Sequence, residues 1–167
     1  MEELKIRRVE EKEGGEILKL IEESFLDINT KDFSRDYYKE VFSSKSKDEI
    51  LNKVNKTHMY IALIKNKIVA FGAIDCFLEK EDESIIYPIF VLPEFQGKGI
   101  GKKLMEALEK DEYYVRARRI ELKVSDKVCD FYKKMGFEHK YNLKELDKYG
   151  NYKLEKFRYR LQYDQNY

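Results

Sequence analysis

The feature that most constrains the fold is a pattern of strand, glycine loop and helix in the middle of the chain. An apolar run over residues 85–91 leads through a short polar segment to the glycine-rich residues 97–101, and apolar residues follow at helical spacing in 104–108. The first turn of a helix offers backbone N–H groups without intrahelical partners, and glycines let an anion approach that backbone. The pattern therefore predicts an anion-binding site, suited to phosphate, at a helix start near Gly99.

Two common nucleotide fingerprints do not fit this loop. A Walker loop requires a second glycine five residues after the first, but Lys102 stands five residues after Gly97. The dinucleotide fingerprint requires a glycine three residues after Gly99, and that position is again Lys102. A nucleotide-binding protein of another kind stays open, and it predicts that ATP or NAD competes for the loop.

The pattern that does fit is Gln-x-x-Gly-x-Gly, formed by Gln96, Gly99 and Gly101 behind a Val-x-Pro at Val91 and Pro93. It resembles the pyrophosphate-binding motif of the GNAT superfamily of acyl-CoA-dependent N-acyltransferases. A short glycine motif is weak support on its own, because a solvated strand-to-helix turn gives the same pattern.

A second block downstream strengthens the resemblance. The strand-like residues 120–124 are followed by a helix-like segment and by residues 131–137, Phe-Tyr-Lys-Lys-Met-Gly-Phe. This block is similar to the helix end and following strand that carry the family's tyrosine, which is Tyr132 here. The resemblance is specific over residues 84–137 and general outside them.

The resemblance implies an α/β (α+β) fold and one domain over residues 1–167. Its mixed, mostly antiparallel sheet has about six to seven strands, splayed between the fourth and fifth strands and flanked by about four helices. The residues themselves predict a hairpin over 59–64 and 68–77 with Asn66 in its turn, and a bulge at Pro88, because proline cannot donate to a strand ladder.

Hydrophobic periodicity places the remaining elements. We expect a first strand over residues 4–9, helices over 17–25, 33–42, 50–54 and from Gly99 to Tyr113 or Tyr114, a strand starting at Phe137 and a closing strand over 157–163.

By the same resemblance, the cofactor is acetyl-CoA as a cosubstrate. The backbone of Ile89, Phe90 and Val91 would contact its pantetheine arm. Ser125, at a helix N-cap where its side chain should accept an N–H, stands where many members carry a cofactor-binding asparagine. The pyrophosphate would lie against the loop and helix start, formed by Gln96, Gly97, Lys98, Gly99, Ile100, Gly101 and Lys102.

Attack of an amine on a thioester requires an oxyanion donor and proton transfer at nitrogen and sulfur. A backbone N–H near Phe90 or Val91 is the expected donor, and Tyr132 is the expected general acid to the departing thiolate. Many relatives place a glutamate base at positions that are Ile85 and Tyr87 here. Without a carboxylate there, Glu83, Asp75 or a water chain is the candidate base.

The predicted function is thus transfer of an acetyl group from acetyl-CoA to a primary amine of a small molecule, peptide or protein. The missing carboxylate leaves a second interpretation open, a non-catalytic acyl-CoA-binding sensor or regulatory module. The aromatic cluster Phe33, Tyr37 and Tyr38 is a candidate acceptor wall, although core packing explains such spacing as well.

Other polar residues carry weaker hypotheses. Arg116, Arg118 and Arg119 could approach the 3′-phosphate of coenzyme A or could be solvated. A nucleophilic pair of Cys129 with His58 or His139 has no supporting motif, so a core thiol is the better interpretation.

Charge and cysteine content limit the classes of binding partner and of site that we expect for this chain. Charged residues make up 39% of the chain, but 33 Lys and Arg nearly balance 32 Asp and Glu, so no net charge recruits nucleic acid or membrane. Two unpatterned cysteines predict neither a disulfide framework nor a metal site. We expect a soluble cytoplasmic protein that can form a homodimer, with a thermophile-like composition rich in surface ion pairs.

Overall fold

The structure is a computed structural model that describes residues 2–14 and 56–158. The helices predicted over 17–25, 33–42 and 50–54, including the cluster Phe33, Tyr37 and Tyr38, lie outside the described residues. So does most of the predicted closing strand, from residue 159 onward.

Seven described strands form one sheet in the order β1-β2-β3-β4-β5-β7-β6. All neighbours pair antiparallel except β4 and β5, which are parallel. This confirms the predicted mixed, mostly antiparallel sheet. The strands are β1 Leu4–Arg8, β2 His58–Ile64, β3 Lys67–Cys76, β4 Glu83–Val91, β5 Arg119–Ser125, β6 Glu138–His139 and β7 Asn151–Phe157.

The α-helices with bounds in the described ranges are α1 Ile100–Leu108, α2 Glu112–Arg116 and α3 Asp126–Lys133, and short 3₁₀-helices cover Glu11–Glu13, Pro93–Phe95 and Lys140–Asn142. The prediction of one helix from Gly99 to Tyr113 or Tyr114 was wrong, because the helix ends at Leu108 and a new one starts behind Asp111. The Asp111 carboxylate caps α2 by accepting from the Tyr113 N–H at 2.8 Å. It also binds His58 on β2, so this contact fixes the chain where α1 stops.

The predicted hairpin is confirmed and joins β2 to β3 through a two-residue turn. Ile64 pairs with Lys67, and the two turn residues, Lys65 and Asn66, have φ of 49° and 62°. Positive φ at both positions belongs to the turn whose twist matches that of the strands.

The predicted bulge at Pro88 is also present. Phe71 pairs with Phe90 and Ala73 with Tyr87, so two residues of β4 stand opposite the single Gly72. A Cβ built on Gly72 would lie 3.1 Å from Ile89 Cγ1, so glycine allows the bulged strand to approach.

β4 and β5 separate halfway along their length. Their pairing runs only from Glu83↔Arg119 to Ile86↔Leu122, whereas β5 continues along β7 as far as Ser125↔Asn151. This confirms the splay between the fourth and fifth strands, and it creates an opening flanked by the second half of β4.

The core lies on both faces of the sheet. On the helix side, α1 and α3 pack Met105, Leu108 and Tyr132 against strand residues such as Ile86 and Leu122. A second cluster on the opposite face is formed by Val9, Met59, Ile61, Phe71, Ala73 and Leu92. Within the described ranges, no helix has the length and apolarity needed to cross a membrane.

The last described strand starts earlier than predicted. β7 covers Asn151–Phe157, whereas the prediction had a strand begin at Phe157. The strand pairs with β5 over its whole length and with β6 near its middle, so tertiary pairing fixes its bounds where local alternation is weak.

Candidate active site in the splay

A cleft of about 520 Å³ lies on the helix side of the sheet, where β4 leaves β5. Its walls come from the second half of β4, the glycine loop, the start of α1 and one side of α3. The lining residues are Ile89, Val91, Phe95, Gln96, Gly97, Gly99, Ile100, Gly101, Lys102, Lys127, Val128, Phe131 and Tyr132.

Tyr132 connects α3 to the bulged part of β4. Its side chain is 1% exposed, and its hydroxyl accepts a hydrogen bond of 2.9 Å from the Ile89 N–H. Burial raises the pKa of Tyr132 above its ordinary value, and the hydrogen bond from Ile89 opposes that shift. The phenol therefore keeps its proton, and because Ile89 occupies the oxygen as an acceptor, that proton is available to a group in the cleft.

The glycine loop has the backbone that the sequence requires. Gly97 and Gly99 have φ of 74° and 78°, in the left-handed region that favours glycine. Gly99 is the N-cap of α1 and brings no side-chain cap, so the first N–H groups of the helix face the cleft without a capping oxygen. Ile100, which is 4% exposed, anchors the helix start in the core.

Gly101 on α1 faces Phe131 on α3 in the lining of the cleft. A Cβ built there would lie 3.5 Å from Cζ of Phe131 on α3, so any larger side chain would enter the space between the two helices. Gly101 and Phe131 both line the cleft, so glycine at this position leaves unfilled the space that a longer side chain would occupy.

The electrostatic character of the cleft is positive. Lys102 and Lys127 contribute to its lining, the N-terminus of α1 points into it, and none of the described lining residues is Asp or Glu. A diphosphate fits this environment, since it needs N–H donors and cations together.

Three other residues predicted to bind the cofactor differ in how they lie relative to the cleft. Gln96 lines the cleft and donates from Nε2 to the Val91 carbonyl at 3.0 Å, so it holds the loop onto β4. The ring of Phe90 stacks with Phe71 at 5.4 Å in the cluster on the opposite face, so only its backbone can serve the cleft. Lys98 is exposed, with its ammonium 5.5 Å from the centre of the Phe95 ring.

Ser125 is the N-cap residue of α3 as predicted, but its hydroxyl makes no capping hydrogen bond. The expected N–H contact is therefore wrong. The side chain is 5% exposed, and its Oγ has no hydrogen-bond partner within the described part of the chain.

Glu83 does not reach the cleft. It begins β4, at the end of the strand away from Ile89, and its carboxylate forms ion pairs with Arg119 at 3.3 Å and Lys80 at 3.6 Å. The base role predicted for Glu83 has no geometric support. The alternative, Asp75, lies on β3 opposite Ile85, and burial raises the pKa of its carboxyl above the usual value.

The arginines that precede β5 are also away from the cleft. Arg119 forms ion pairs with Glu121 at 2.7 Å and Glu155 at 3.2 Å, and Arg116 donates to Cys76. Arg116 and Arg118 line a separate cavity of about 840 Å³ near Arg158. The structure therefore gives no support for a contact between these arginines and the 3′-phosphate.

The cysteine and histidine positions fit structural roles. Cys129 Sγ lies 4.0 Å from His139 Nε2, a proximity that the sequence does not reveal. Burial raises the pKa of the Cys129 thiol and lowers the pKa of His139, so both groups are neutral near pH 7. His58 is buried and bonds the Asp111 carboxylate at 2.9 Å.

Comparison with known proteins places this geometry in a family. The model of the acetyltransferase (GNAT) domain matches residues 55–139, which is just over half of the chain and contains the splay, the glycine loop and α3. The chain belongs to the GNAT acetyltransferase family. The motif in residues 96–101 and the tyrosine block in 131–137 both lie inside the matched region.

Two archaeal relatives support the membership. An uncharacterized N-acetyltransferase of Methanocaldococcus jannaschii is 35% identical over 117 residues, which cover 65% of this chain and 51% of the relative. An uncharacterized N-acetyltransferase of Archaeoglobus fulgidus is 31% identical over 116 residues, covering 64% of this chain and 72% of the relative. The GNAT chain thus spans about half the length of the first of these relatives.

A solved structure shows the same fold. The crystal structure of the PaiA N-acetyltransferase of Thermoplasma acidophilum, in complex with coenzyme A, matches with a TM-score of 0.65 and 16% identity. The match covers 93% of this chain and 99% of that one. At this identity the likeness concerns the GNAT fold alone.

Four lining residues were missed by sequence reasoning: Phe95, Lys127, Val128 and Phe131. The signal for three of them is helical spacing, because residues 127, 128 and 131 share the face of α3 that carries Tyr132. Phe95 has no comparable signal, since it ends the short 3₁₀-helix Pro93–Phe95 before the glycine loop, which is too short to show a periodic pattern.

Proposed function

We propose that this chain is an N-acetyltransferase that moves an acetyl group from acetyl-CoA to a primary amine by direct attack on the thioester. The observation that carries the proposal is the hydrogen bond of 2.9 Å between Tyr132 and the Ile89 N–H, at the point where β4 leaves β5. The contact puts a protonated phenol beside the bulged backbone and in the lining of a cleft that contains Lys102 and Lys127.

The binding roles follow from the lining of the cleft. The N–H groups of residues 97–102, with the Lys102 ammonium, hold the diphosphate, and Gln96 fixes their position through Val91. The backbone of Ile89, Phe90 and Val91 pairs with the amide groups of the pantetheine arm. Ser125, at the end of β5 on the other side of the splay, is the last of the residues that we propose bind acetyl-CoA.

The reaction needs one bond formed and one broken. The lone pair of the amine attacks the carbonyl carbon, the carbon–sulfur bond breaks, and the amine nitrogen loses a proton to water. Tyr132 donates a hydrogen bond to the sulfur and gives its proton as the thiolate leaves, after which solvent restores it. The products are an N-acetyl amide and free coenzyme A.

We propose that the base is not a side chain of the described cleft. No Asp or Glu is among the described lining residues, and Glu83 is held by Arg119. We propose that the acceptor arrives as an amine of low basicity, so that a useful neutral fraction exists near pH 7 and water takes the second proton.

The lack of Asp and Glu among the described lining residues also favours a second candidate, a module that binds acyl-CoA without turning it over. Thiol release from acetyl-CoA in the presence of polyamines, amino acids, amino-acid amides, aminoglycosides and peptides separates the two. The enzyme releases thiol with at least one amine, and the Tyr132→Phe variant releases it far more slowly. Binding of acetyl-CoA without any thiol release would favour the sensor.

A further inference from the structure

We infer that a second cavity, away from the proposed acetyl-CoA site, binds a phosphorylated small molecule that also carries hydroxyl or amino groups. The cavity has a volume of about 840 Å³, and its lining contains four cationic side chains: Arg116, Arg118, Lys156 and Arg158. A cavity of this size can hold a small-molecule ligand. The inference goes beyond the proposed function and does not depend on it.

The cavity lies at the end of β4 and β5 that is opposite the splay. Its lining includes Asp82, directly before β4, and Arg118, directly before β5, whereas the splay begins beyond the pair Ile86↔Leu122. Among the described residues, the linings of the cavity and of the cleft share no member. The two sites can therefore be occupied at the same time.

The cationic side chains of the cavity lack carboxylate partners. None of the four forms an ion pair within the described ranges, although Glu81 and Asp82 belong to the same lining. Arg119, the residue after Arg118, is by contrast paired with glutamates on three strands. Like charges in one cavity repel each other, so an anion from outside the chain would be bound favourably there.

Two of the cations are held in place by bonds that leave donors unused. Of the terminal nitrogens of Arg158, only Nη1 bonds within the described ranges, to the carbonyls of Tyr114 at 2.6 Å and Val115 at 2.7 Å. Lys156 donates from Nζ to the Tyr114 hydroxyl at 3.1 Å and to the Met135 carbonyl at 2.9 Å. An ammonium has three donors, so Lys156 keeps one for a ligand.

The other two cations differ in how firmly they are held. The guanidinium of Arg116 lies 4.4 Å from the centre of the Tyr113 ring, and of its terminal nitrogens only Nη2 bonds a described residue, Cys76 Sγ at 2.6 Å. Arg118 is exposed, and its side chain forms no ion pair with the described residues. Arg118 is therefore the cation that a ligand reaches directly from solvent.

A purely structural role explains only part of this cluster. Carbonyl groups at a helix C-terminus attract cations, and Arg158 satisfies those at the end of α2. Arg118 contributes to neither this cap nor an ion pair, yet its charge lies in the same lining. The cluster thus holds more positive charge than the end of α2 requires.

The rest of the lining indicates an organic phosphate. Guanidinium groups match the geometry of phosphate oxygens. The carboxylates of Glu81 and Asp82 are acceptors for hydroxyl or amino groups, and the exposed side chains of Val115 and Phe157 offer apolar surface. Nucleoside phosphates and sugar phosphates both combine phosphate with hydroxyl groups, and a nucleobase adds an apolar face.

The test is calorimetric titration of the full chain with ATP, ADP, glucose 6-phosphate and inorganic phosphate. We expect at least one organic phosphate to bind more tightly than inorganic phosphate, and the tightest of them identifies a nucleoside or a sugar phosphate as the ligand. Arg118→Ala raises its Kd by about 10-fold or more, and Arg118→Glu raises it further. Because the Arg118 side chain has no partner among the described residues, both variants keep the melting temperature of wild type.

Two controls locate the binding. Arg8→Ala removes the same charge from an exposed position on β1, outside the cavity, and leaves the Kd unchanged. Gly101→Leu fills the cleft between α1 and α3, so binding that persists in this variant is not in the cleft.

Four outcomes would overturn the inference. They are no binding of any organic phosphate, equal weakening by Arg8→Ala and Arg118→Ala, inorganic phosphate bound as tightly as every organic one, and binding lost in Gly101→Leu but unaffected by the Arg118 variants. The last would place the ligand at the glycine loop. Thiol release from acetyl-CoA enters none of these measurements, so the proposed function is tested separately.

Discussion

The hydroxyl of Tyr132 on α3 accepts a hydrogen bond of 2.9 Å from the Ile89 N–H on β4. The contact joins residues 43 positions apart in the chain at the point where the two central strands separate. It fixes the acceptor side of the phenol and leaves its proton for the cleft.

Replacing Tyr132 with phenylalanine tests the proposed acid. We expect kcat to fall by about 100- to 10,000-fold, the usual contribution of a positioned acid or base, with little change in the KM for acetyl-CoA. The Ile89 N–H loses its partner, which costs about 1–3 kcal/mol of unfolding free energy. Steady-state thiol release and urea unfolding measure the two effects.

The control is Tyr114→Phe. Tyr114 is buried on α2, away from the cleft, and its hydroxyl accepts from Lys156 at 3.1 Å. The Tyr114→Phe variant should have a lower free energy of unfolding than wild type and an unchanged kcat. Equal rates for wild type and Tyr132→Phe would remove Tyr132 from the chemistry.

Enlarging Gly101 tests the unfilled space in the cleft. Gly101→Ala places a Cβ at an ordinary contact distance of 3.5 Å from Phe131, so coenzyme A still binds. Gly101→Leu fills the space between α1 and α3, and we expect its Kd for coenzyme A to rise by more than about 10-fold. Neither variant loses helix stability, because both residues are better helix formers than glycine. Calorimetric titration with coenzyme A measures the Kd of each variant. An unchanged Kd in Gly101→Leu would show that coenzyme A binds elsewhere.

Glu83→Gln distinguishes an ion-pair residue from a base. Since Glu83 is held by Arg119 and Lys80, we expect kcat/KM to stay within about twofold of wild type from pH 6 to 9. Unfolding free energy falls by about 1 kcal/mol or less, as is usual for a partly exposed pair. A large loss of rate that recovers as the pH rises would reinstate Glu83 as the base.

We expect the carboxyl of Asp111 to make the free energy of unfolding depend on pH. Burial raises the pKa of its carboxyl, but hydrogen bonds from His58, Tyr60 and the Tyr113 N–H outweigh burial, so the pKa lies below its ordinary value. A lowered pKa in the folded state means that the stabilisation is complete above the unfolded-state pKa of about 3.9 and is lost as the pH falls through the folded-state value.

The variant Asp111→Ala should therefore be less stable than wild type by roughly 2–4 kcal/mol at pH 7, since it loses a helix cap and a buried network. The difference should shrink at pH 2.5. Urea unfolding at both values measures it, and a difference that is constant with pH would show that the ionised carboxylate contributes nothing beyond packing.

The fold and the site were predictable from sequence to different degrees. The hairpin at Asn66, the bulge at Pro88 and the loop at Gly97 and Gly99 follow from local backbone chemistry, which a sequence displays directly. The break of the helix before Asp111 does not, because it depends on His58 on a distant strand. Tertiary contacts of this kind override local helix propensity.

The candidate site shows the same division. The glycines and Tyr132 have a recognisable pattern, and the structure brings them to one cleft. The contact of Glu83 with Arg119 and the juxtaposition of Ser125 with Asn151 arise from strand register. A one-residue change of register would turn these side chains to the other face, so sequence spacing alone could not place them.

The most direct test of the account is a crystal structure of the chain with bound coenzyme A. We predict that the diphosphate lies against the N–H groups of residues 97–102 and that the sulfur lies within hydrogen-bonding distance of the Tyr132 hydroxyl, inside the splay between β4 and β5. A diphosphate bound elsewhere, or a sulfur out of reach of Tyr132, would contradict it.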